Sequence, residues 1–343
     1  MAHLKDRYIR EALLYERLTQ NRVRCNLCAH QCVIADGKLG ICKVRQNVGS
    51  SLFTLAYGRT ISQHVDPVEK KSLYHFLPGS STYSIATIGC NFRCQWCQNW
   101  QISQMPREGD LIDSSEAPPK HIVANALENG SPSIAYTYTE PTIFFEYSYD
   151  TAILSHQAGL CNIFVTNGYM SQEMLELFHP YLDAANVDLK AFREKTYRRY
   201  IGAKLQPVLD TMKIMKEMGI WLEVTTLVIP DLNDNMNELR DIARFIVKDL
   251  GADTPWHISR FYPGYKMTDR PATSIETLKR TRDIGLSEGL HYVYLGNVLD
   301  EEITRCPQCG NTLICRHGYF VTEYNITNGR CPDCNAPIAG VWH

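Results

Sequence analysis

Long apolar runs are missing from this sequence. None reaches about 18 residues, the shortest length expected of a membrane-spanning helix. The first residues, MAHLKDRYIREALLYERL, are charged throughout, so they lack the apolar core of a secretory signal peptide. An excess of charge of one sign is missing as well, since the formal net charge is -2. Such a balance gives no overall attraction to nucleic acid or to an anionic membrane. We therefore predict a cytoplasmic protein without a membrane partner, and the charge balance argues against nucleic acid as a partner.

Cysteine, by contrast, is abundant, with 13 among 343 residues. Disulfides are rare in the cytosol, and a chain of this length does not depend on covalent cross-links for its stability. The cysteines are grouped rather than scattered, which favours metal ligation over a disulfide framework. The groups are the N-terminal set (Cys25, Cys28, Cys32 and Cys42), the central set (Cys90, Cys94 and Cys97) and the C-terminal set (Cys306, Cys309, Cys331 and Cys334). Only Cys161 and Cys315 lie outside them.

The central set lies in the segment IGCNFRCQWCQNW and has the spacing C-x3-C-x2-C. Iron–sulfur cubanes are normally held by four thiolates, so three clustered cysteines predict a [4Fe–4S] cluster with one iron open to another ligand. Three buried thiols without a metal are the alternative, because free cysteine packs as a small hydrophobe. The Gly-, Asn- and Gln-rich surroundings favour the metal interpretation, since a packed core has no reason to concentrate thiols in such a loop.

The two outer sets each contain four cysteines, enough to close a metal site. The N-terminal set has the spacing C-x2-C-x3-C-x9-C, and Gly37 and Gly40 can turn the last thiol back toward the first three. It predicts structural zinc or an auxiliary iron–sulfur cluster, and the sequence leaves both open. The C-terminal set has the spacing C-x2-C-x21-C-x2-C, which predicts a zinc ribbon, with a rubredoxin-like iron site or an auxiliary cluster as alternatives.

Between residues 82 and 296, short strand-like runs alternate with helical patterns. We predict strands at 83–89, 133–139, 161–167, 184–190, 221–229, 256–261 and 292–296, and helices at 122–130, 141–159, 171–178, 205–219, 236–251 and 274–289. This alternation implies an α/β fold with parallel strands, as a doubly wound sheet or a partial barrel.

Composition changes on both sides of this region, so we predict three domains. Residues 1–20 have the pattern of an amphipathic helix. The predicted domains are 1–80, with that helix, the N-terminal set and a bridging loop; 81–297, with the α/β core; and 298–343, a zinc-ribbon-like module.

Mostly polar and ionisable residues stand at or just after the ends of the predicted strands. They are Cys90, Thr139, Glu140, Thr166, Asn167, Asp188, Lys190, Asp231, His257 and Arg260, together with Pro230. The carboxyl ends of parallel strands share one edge in both candidate architectures, and that edge carries the active site. We therefore predict one site that faces the central set. In the bridging loop, the candidates for its mouth are Asp66, Glu69, Lys71 and His75.

The central set resembles the signature of the radical S-adenosylmethionine (SAM) superfamily, with Trp96 as the aromatic residue before the last cysteine. The resemblance implies that the amine and carboxylate of SAM chelate the open iron of the [4Fe–4S] cluster. It also implies that the reduced cluster cleaves SAM to a 5′-deoxyadenosyl radical, and that residues 81–297 form a partial parallel (β/α)6-type barrel. In such an enzyme the cofactor carries the chemistry, and the protein supplies orientation and a dry cavity.

One strand end is similar to a motif of the pyruvate formate-lyase activating enzymes and related activases. Glu140 matches the glutamate of a Gly-Gly-Glu-Pro-like motif that contacts the methionine amine of SAM. Tyr138 and Thr139 stand where that motif has its two glycines, so the chain departs from the motif at these two positions.

Three other strand ends resemble the same activases. Thr166, Asn167 and Asp188 are similar to groups that anchor the ribose and methionine parts of SAM. Lys190 is then expected to neutralise the cofactor carboxylate, a task that suits a compact charge on a flexible side chain. His257 resembles a histidine that approaches the ribose, although a buried structural role is the alternative.

Long ordered segments also resemble the radical enzyme of the AmmeMemoRadiSam system, among them DPVEKKSLYHFLPG, GCNFRCQWCQNW, YTYTEPT and PWHISRFYPGYKM. This resemblance implies a low-potential electron donor, hydrogen abstraction from a protein or peptide substrate, and Memo-like and companion proteins as candidate partners. The alternative function is a zinc-ribbon interaction or nucleic-acid-binding module with only structural metal sites. It rests on Arg305, Arg316 and Arg330, which lie among aromatic residues of the C-terminal segment.

Overall fold

A computed structural model describes residues 9–104, 114–298 and 300–342 of the chain. The first described strands are β1 (Arg10–Glu11), β2 (Tyr15–Leu18), β3 (Arg22–Cys25), β4 (Val33–Ile34), β5 (Arg45–Val48), β6 (Ser51–Thr54) and β7 (Arg59–Thr60). They form two small antiparallel sheets, β1-β6-β5 and β2-β3-β4, while β7 pairs with the later strand β10 (Ser115–Glu116).

The amphipathic helix predicted for residues 1–20 is wrong over its described part, residues 9–20. That segment forms β1 and β2, and β2 joins β3 in a hairpin. Gln20 and Asn21 close the hairpin with φ values of 59° and 53°, in the left-handed region that ends a helix but suits a tight turn. The backbone groups of β2 pair across the hairpin instead of along a helix. Residues 1–8 of the predicted helix lie outside the described residues.

The central sheet contains eight strands in the described part of the chain. They are β8 (Ser62–Pro67), β9 (Ser81–Ala86), β11 (Ser133–Tyr136), β12 (Cys161–Thr166), β13 (Ala184–Asp188), β14 (Trp221–Val228), β15 (Trp256–Arg260) and β16 (Val293–Gly296). All pairs are parallel except β8 with β9 at one edge. All seven predicted strands are therefore confirmed, with small differences at their ends.

Six of the helices between these strands match predicted ones, and the two short helices at residues 100–103 and 194–196 were not predicted. The helices are α1 (Trp100–Ser103), α2 (Pro119–Glu128), α3 (Phe145–Gln157), α4 (Gln172–Phe178), α5 (Glu194–Thr196), α6 (Gln206–Glu217), α7 (Met236–Phe245) and α8 (Ile275–Ser287). Short 3-10 turns cover Val68–Lys71, Pro141–Phe144 and His179–Tyr181, and π-helical turns cover Tyr197–Ile201 and Ile246–Leu250. Side chains cap several helices; Ser171 and Ser274 each accept a hydrogen bond from a backbone N–H of the first turn. Among the described residues, no helix is both long enough and apolar enough to span a membrane.

The segment 68–80, predicted as part of the bridging loop, packs on one face of the central sheet. Val68, Leu73 and Phe76 are buried against Ala135 of β11 and Ile163 of β12. We call this segment the plug, because it fills the space on that sheet face below the strand ends. Strand β8, which precedes the predicted domain boundary at residue 81, is the edge strand of the central sheet.

The C-terminal residues form a small three-stranded antiparallel sheet of β17 (Glu301–Arg305), β18 (Thr312–His317) and β19 (Phe320–Tyr324). This ribbon has its own apolar cluster around Leu313 and Ile338. It contacts the plug through reciprocal backbone hydrogen bonds, from the Leu77 N–H to the Val341 carbonyl at 2.8 Å and from the Val341 N–H to the His75 carbonyl at 2.7 Å.

Candidate active site

A cavity of about 390 Å³ lies at the carboxyl ends of the parallel strands, within the range typical of ligand sites. It is lined by Cys90, Cys94, Trp96, Cys97, Glu140, Thr166, Asn167, Asp188 and Lys190, and further by Lys71, Tyr138, Thr225, Ser259, Asn297 and Tyr319. The structure thus brings the central set together with every predicted cofactor contact except His257.

The loop that carries the central set begins directly after β9. Gly89 has a φ of 94°, and a Cβ atom there would lie 2.9 Å from the Cys42 carbonyl oxygen, so only glycine fits this position. The loop then turns, with a hydrogen bond from the Cys97 N–H to the Cys94 carbonyl at 3.2 Å. Cys94 is buried, and Cys90 and Cys97 are half-buried.

Hydrogen-bonding groups surround the thiols of the central set. The Phe92 N–H donates to Cys90 Sγ at 3.3 Å, and the Asn167 amide lies 3.8 Å from the same sulfur. Cys97 Sγ is 3.1 Å from the Ser103 hydroxyl. Donors directed at sulfur stabilise thiolates and tune iron–sulfur clusters, so the surroundings of Cys90 and Cys97 fit thiolate ligands of a cluster.

Glu140 joins the ends of β11 and β12 through its buried carboxylate. Oε1 accepts hydrogen bonds from the hydroxyls of Thr142 and Thr166, each at 2.6 Å, and from the Thr142 N–H at 3.1 Å. Oε2 accepts one from the Asn167 N–H at 2.8 Å. Burial raises the pKa of this carboxyl, and the hydrogen bond from the Asn167 N–H opposes that shift most strongly. Glu140 therefore holds neighbouring strand ends together and also faces the cavity.

Tyr138 occupies the first of the two positions at which the chain departs from the glycine-containing motif. Its φ is 62°, so the backbone is left-handed at this position although the side chain is bulky. Its carbonyl accepts a hydrogen bond from Asn99 Nδ2 at 2.8 Å, which ties the loop of the central set to β11. Its hydroxyl donates to Asp66 at the end of β8. These contacts maintain a strained conformation of the kind found at functional sites.

Asp188 is the last residue of β13, Lys190 follows two positions later, and Lys190 Nζ lies 3.0 Å from Asp188 Oδ2. Burial lowers the pKa of Lys190, but the charges of Asp188 and the Cys94 thiolate outweigh it and the net direction is upward. Burial raises the pKa of Cys94 to about 12, and Lys190 counters part of that shift. A positive charge thus stands next to one thiol of the central set.

His257 is placed apart from the other predicted contacts. It is absent from the cavity wall, and its Nε2 lies 2.6 Å from Glu223 Oε2 in a buried network. Its ring also packs edge-on against Tyr74 of the plug, with the ring centroids 4.7 Å apart. Ser259, two residues further along β15, takes the position on the wall. This placement supports the buried structural role of His257 rather than a direct ribose contact.

Comparison with known proteins agrees with this site. Residues 84–246 match the family model of the Radical SAM superfamily. The chain is 43% identical to the uncharacterized protein MJ0808 of Methanocaldococcus jannaschii over 96% of its own length and 99% of that protein. The chain belongs to the radical SAM superfamily.

Two similarities are more distant. MJ1632 of M. jannaschii, named as a glycyl-radical enzyme activating enzyme, is 25% identical over 64% of this chain and 80% of its own length. The crystal structure of Streptococcus suis SuiB bound to S-adenosylmethionine has a TM-score of 0.50 and 14% identity, covering 67% of this chain and 53% of that chain. The structural match shows a shared α/β fold.

The outer cysteine sets of this radical SAM protein differ in their geometry. In the C-terminal set, Cys306 and Cys334 have their sulfurs 3.6 Å apart, as do Cys309 and Cys331. All four sulfurs lie within 4.8 Å of one another, so this set could hold one metal ion. The N-terminal set lines a separate cavity behind the loop of the central set.

The sequence predictions for the remaining wall residues of this radical SAM protein differ in their outcome. Lys71, a predicted candidate for the mouth, lies on the wall and bonds Asp66 at 2.6 Å. Ser259 and Asn297 were not predicted, but both follow the rule that strand-end residues reach the site. Tyr319 comes from the ribbon, and no sequence pattern indicated that the C-terminal module would reach the cavity.

Proposed function

We propose that the protein is a radical SAM enzyme that cleaves S-adenosylmethionine reductively and abstracts hydrogen from a protein or peptide substrate. The observation that carries this proposal is the convergence of the central set, Glu140, Asn167, Asp188 and Lys190 on one cavity. Cys90, Cys94 and Cys97 would hold a [4Fe–4S] cluster, which would supply an open iron for SAM and an electron for its reductive cleavage.

The residues of the wall have complementary tasks toward SAM. Lys190 Nζ carries three donors, of which Asp188 takes one, so it can also neutralise the carboxylate of the methionine part. Glu140 Oε2 accepts one protein hydrogen bond and retains room to accept another from the methionine amine. Thr166, Asn167 and Trp96 complete the wall on which we place the cofactor.

We also infer that the central sheet curves as a partial (β/α)6-type barrel. Residues from the ends of seven parallel strands line one cavity, and a flat sheet would spread them over a wide edge. We assign zinc to the C-terminal set, because tetrahedral Zn–S bonds of about 2.3 Å place sulfurs about 3.8 Å apart, close to the observed 3.6 Å.

The name of MJ1632 supports a protein or peptide substrate of the activase type. The AmmeMemoRadiSam resemblance adds Memo-like and companion proteins as proposed partners, together with a low-potential electron donor. Deuterium-labelled candidate peptides test the substrate class, because abstraction transfers the label to 5′-deoxyadenosine. Label transfer from small metabolites but from none of the peptides would contradict the proposal.

A Cys94→Ser variant tests the central step. We expect the wild type to form 5′-deoxyadenosine after anaerobic reconstitution and reduction. The variant should lose this activity by at least about 10²-fold, because the serine oxygen is a poor substitute for a thiolate ligand of the cluster. Cys161→Ser is the matched control, since Cys161 lies outside all three cysteine sets. Full activity in Cys94→Ser, or zinc as the only bound metal in wild type, would favour the purely structural alternative.

A further inference from the structure

The N-terminal set surrounds a small cavity of its own. All four cysteines line it, and the remaining wall is mostly apolar, with Leu27, Ile34, Ile41 and Ile143. On the measure that gives about 390 Å³ for the active-site cavity, its volume is about 20 Å³. The four thiols therefore face one common space, and their spacing bears on which metal group they would hold.

The spacing of the sulfurs separates the two outer sets. The C-terminal set is the one group of three or more candidate ligands in the described residues whose ligand atoms all lie within 4.8 Å of one another. The N-terminal set is therefore wider than a single-ion site, a property that it shares with the central set. A cubane places a separate iron beneath each thiolate, so its sulfurs stand farther apart than those around one zinc ion.

Arg45 is the second, independent observation at this cavity. Its side chain is 1% exposed and lines the cavity wall, and Nη2 pairs with the buried Glu146. Its Nε and Nη1 are buried without a hydrogen-bond partner. Unpaired buried donors of a charged group are costly, so Arg45 favours an anionic acceptor in the cavity that it lines.

The N-terminal set also contacts the loop of the central set. His30 Nε2 lies 2.9 Å from the Asn91 carbonyl oxygen, and Asn91 itself lines the cavity of the N-terminal set. Gly89 lies against the Cys42 carbonyl, so closely that a Cβ atom would be 2.9 Å from it. The N-terminal set therefore packs against the loop that carries the central set.

We propose that the N-terminal set holds a second [4Fe–4S] cluster rather than zinc, and that Arg45 donates its Nε–H and Nη1–H to the sulfur atoms of this cluster. Four thiolates around a cubane leave a net negative charge in an apolar cage, and the guanidinium offsets it. The assignment does not depend on SAM cleavage at the central set.

Metal analysis of the full chain after anaerobic reconstitution tests the proposal. Two cubanes and a ribbon zinc predict about eight iron atoms and about one zinc ion per chain, with matching acid-labile sulfide. About four iron atoms with about two zinc ions would overturn it, because the N-terminal set would then hold zinc.

A variant that lacks the central set separates this proposal from the proposed function. The triple variant Cys90→Ala, Cys94→Ala, Cys97→Ala should retain about four iron atoms per chain and the spectroscopic signature of one cubane, whether or not wild type cleaves SAM. Complete loss of iron with retained folding would overturn the proposal. Cys161→Ala serves as control and should retain all the iron of wild type.

The role of Arg45 is tested by the midpoint potential of the cluster retained in that triple variant. Arg45→Met combined with Glu146→Gln removes the donors without leaving a buried charge, and we expect a lower potential, because N–H···S hydrogen bonds stabilise the reduced cluster. The control replaces the exposed ion pair of Arg24 and Glu16 in the same way and should leave the potential unchanged. Equal potentials for both double variants would overturn the role of Arg45.

Discussion

Glu140 shows how one residue can serve both the fold and the site. Its carboxylate accepts four protein hydrogen bonds, two from Thr142 in the 3-10 turn and two from residues at the end of β12, and it still faces the cavity. Replacing a buried carboxylate with this many donors destabilises the fold, since each buried donor left without an acceptor lowers the free energy of unfolding by roughly 1–3 kcal/mol. The position thus rejects even an isosteric change.

We predict that Glu140→Gln lowers the free energy of unfolding by about 1–3 kcal/mol, because the new amide N–H2 faces either the Asn167 N–H or the threonine donors. Denaturant unfolding measures this loss, and SAM binding should weaken in parallel because Asn167 moves. Glu173→Gln, at an exposed position on α4, is the matched control. An equal stability of both variants would contradict the hydrogen-bond arrangement.

At the scale of elements, the 3-10 turn Val68–Lys71 sets the charge at one side of the cavity. Lys70 and Lys71 both bond Asp66, at 2.8 and 2.6 Å, but only the Lys71 side chain is buried. Burial lowers the pKa of Lys71 to about 8. A lysine of the unfolded chain keeps its proton to about pH 10.4, so the unfolded state binds more protons between these values.

Stability must therefore rise with pH in this window through Lys71. We predict that wild type gains about 1–2 kcal/mol relative to Lys71→Met between pH 7.5 and 9.5, since one pKa unit corresponds to about 1.4 kcal/mol. Denaturant unfolding at both pH values measures the difference. Lys70→Met removes the exposed lysine bound to the same carboxylate, and the difference in stability between wild type and this variant should not change with pH in this window. A pH-independent difference between wild type and Lys71→Met would refute the shifted pKa.

The elements differ in how well the sequence predicts them. The parallel strands and their helices follow from local periodicity, so β9 and β11 through β16 were predicted within a few residues. The segment 9–20 was not, because its apolar spacing fits a helix and its hairpin depends on pairing with β3. The residues of the cavity wall could be predicted from their positions at strand ends. The burial of His257 below the cavity could not, because it depends on how the plug fills the sheet face. That packing is non-local, and so is the approach of Tyr319.

At the scale of the whole molecule, the α/β core carries the central set, and the other two cysteine sets lie in the segments before and after that core. The N-terminal set supports the loop of the central set from behind, and the ribbon contacts the plug and supplies Tyr319 to the cavity wall. The ribbon is thus coupled to the site through the plug. Arg316 of β18 forms the buried part of this coupling, because its side chain is fully buried between the ribbon and the plug.

We predict that Arg316→Met lowers the free energy of unfolding by about 3–5 kcal/mol and loosens the ribbon. The change removes hydrogen bonds to the Tyr74 carbonyl at 2.6 Å and to Thr304 at 2.9 Å, and it leaves the buried Glu69 without its positive partner. Denaturant unfolding and limited proteolysis of the ribbon measure both effects. The second variant, Arg316→Met with Glu69→Gln, should recover part of the loss, because no unpaired charge then remains in the interior.

Arg305→Met, at an exposed position of the same ribbon, is the control and should change stability by less than about 0.5 kcal/mol. If Arg316→Met resembled this control, the ribbon would not depend on its buried contact with the plug. If instead the single variant loses stability and the double variant regains part of it, the loss comes from the buried carboxylate of Glu69, which has no positive partner in the single variant. Because the plug also carries Lys71 to the cavity, loosening the ribbon would then alter the site from two sides, through Lys71 and through Tyr319.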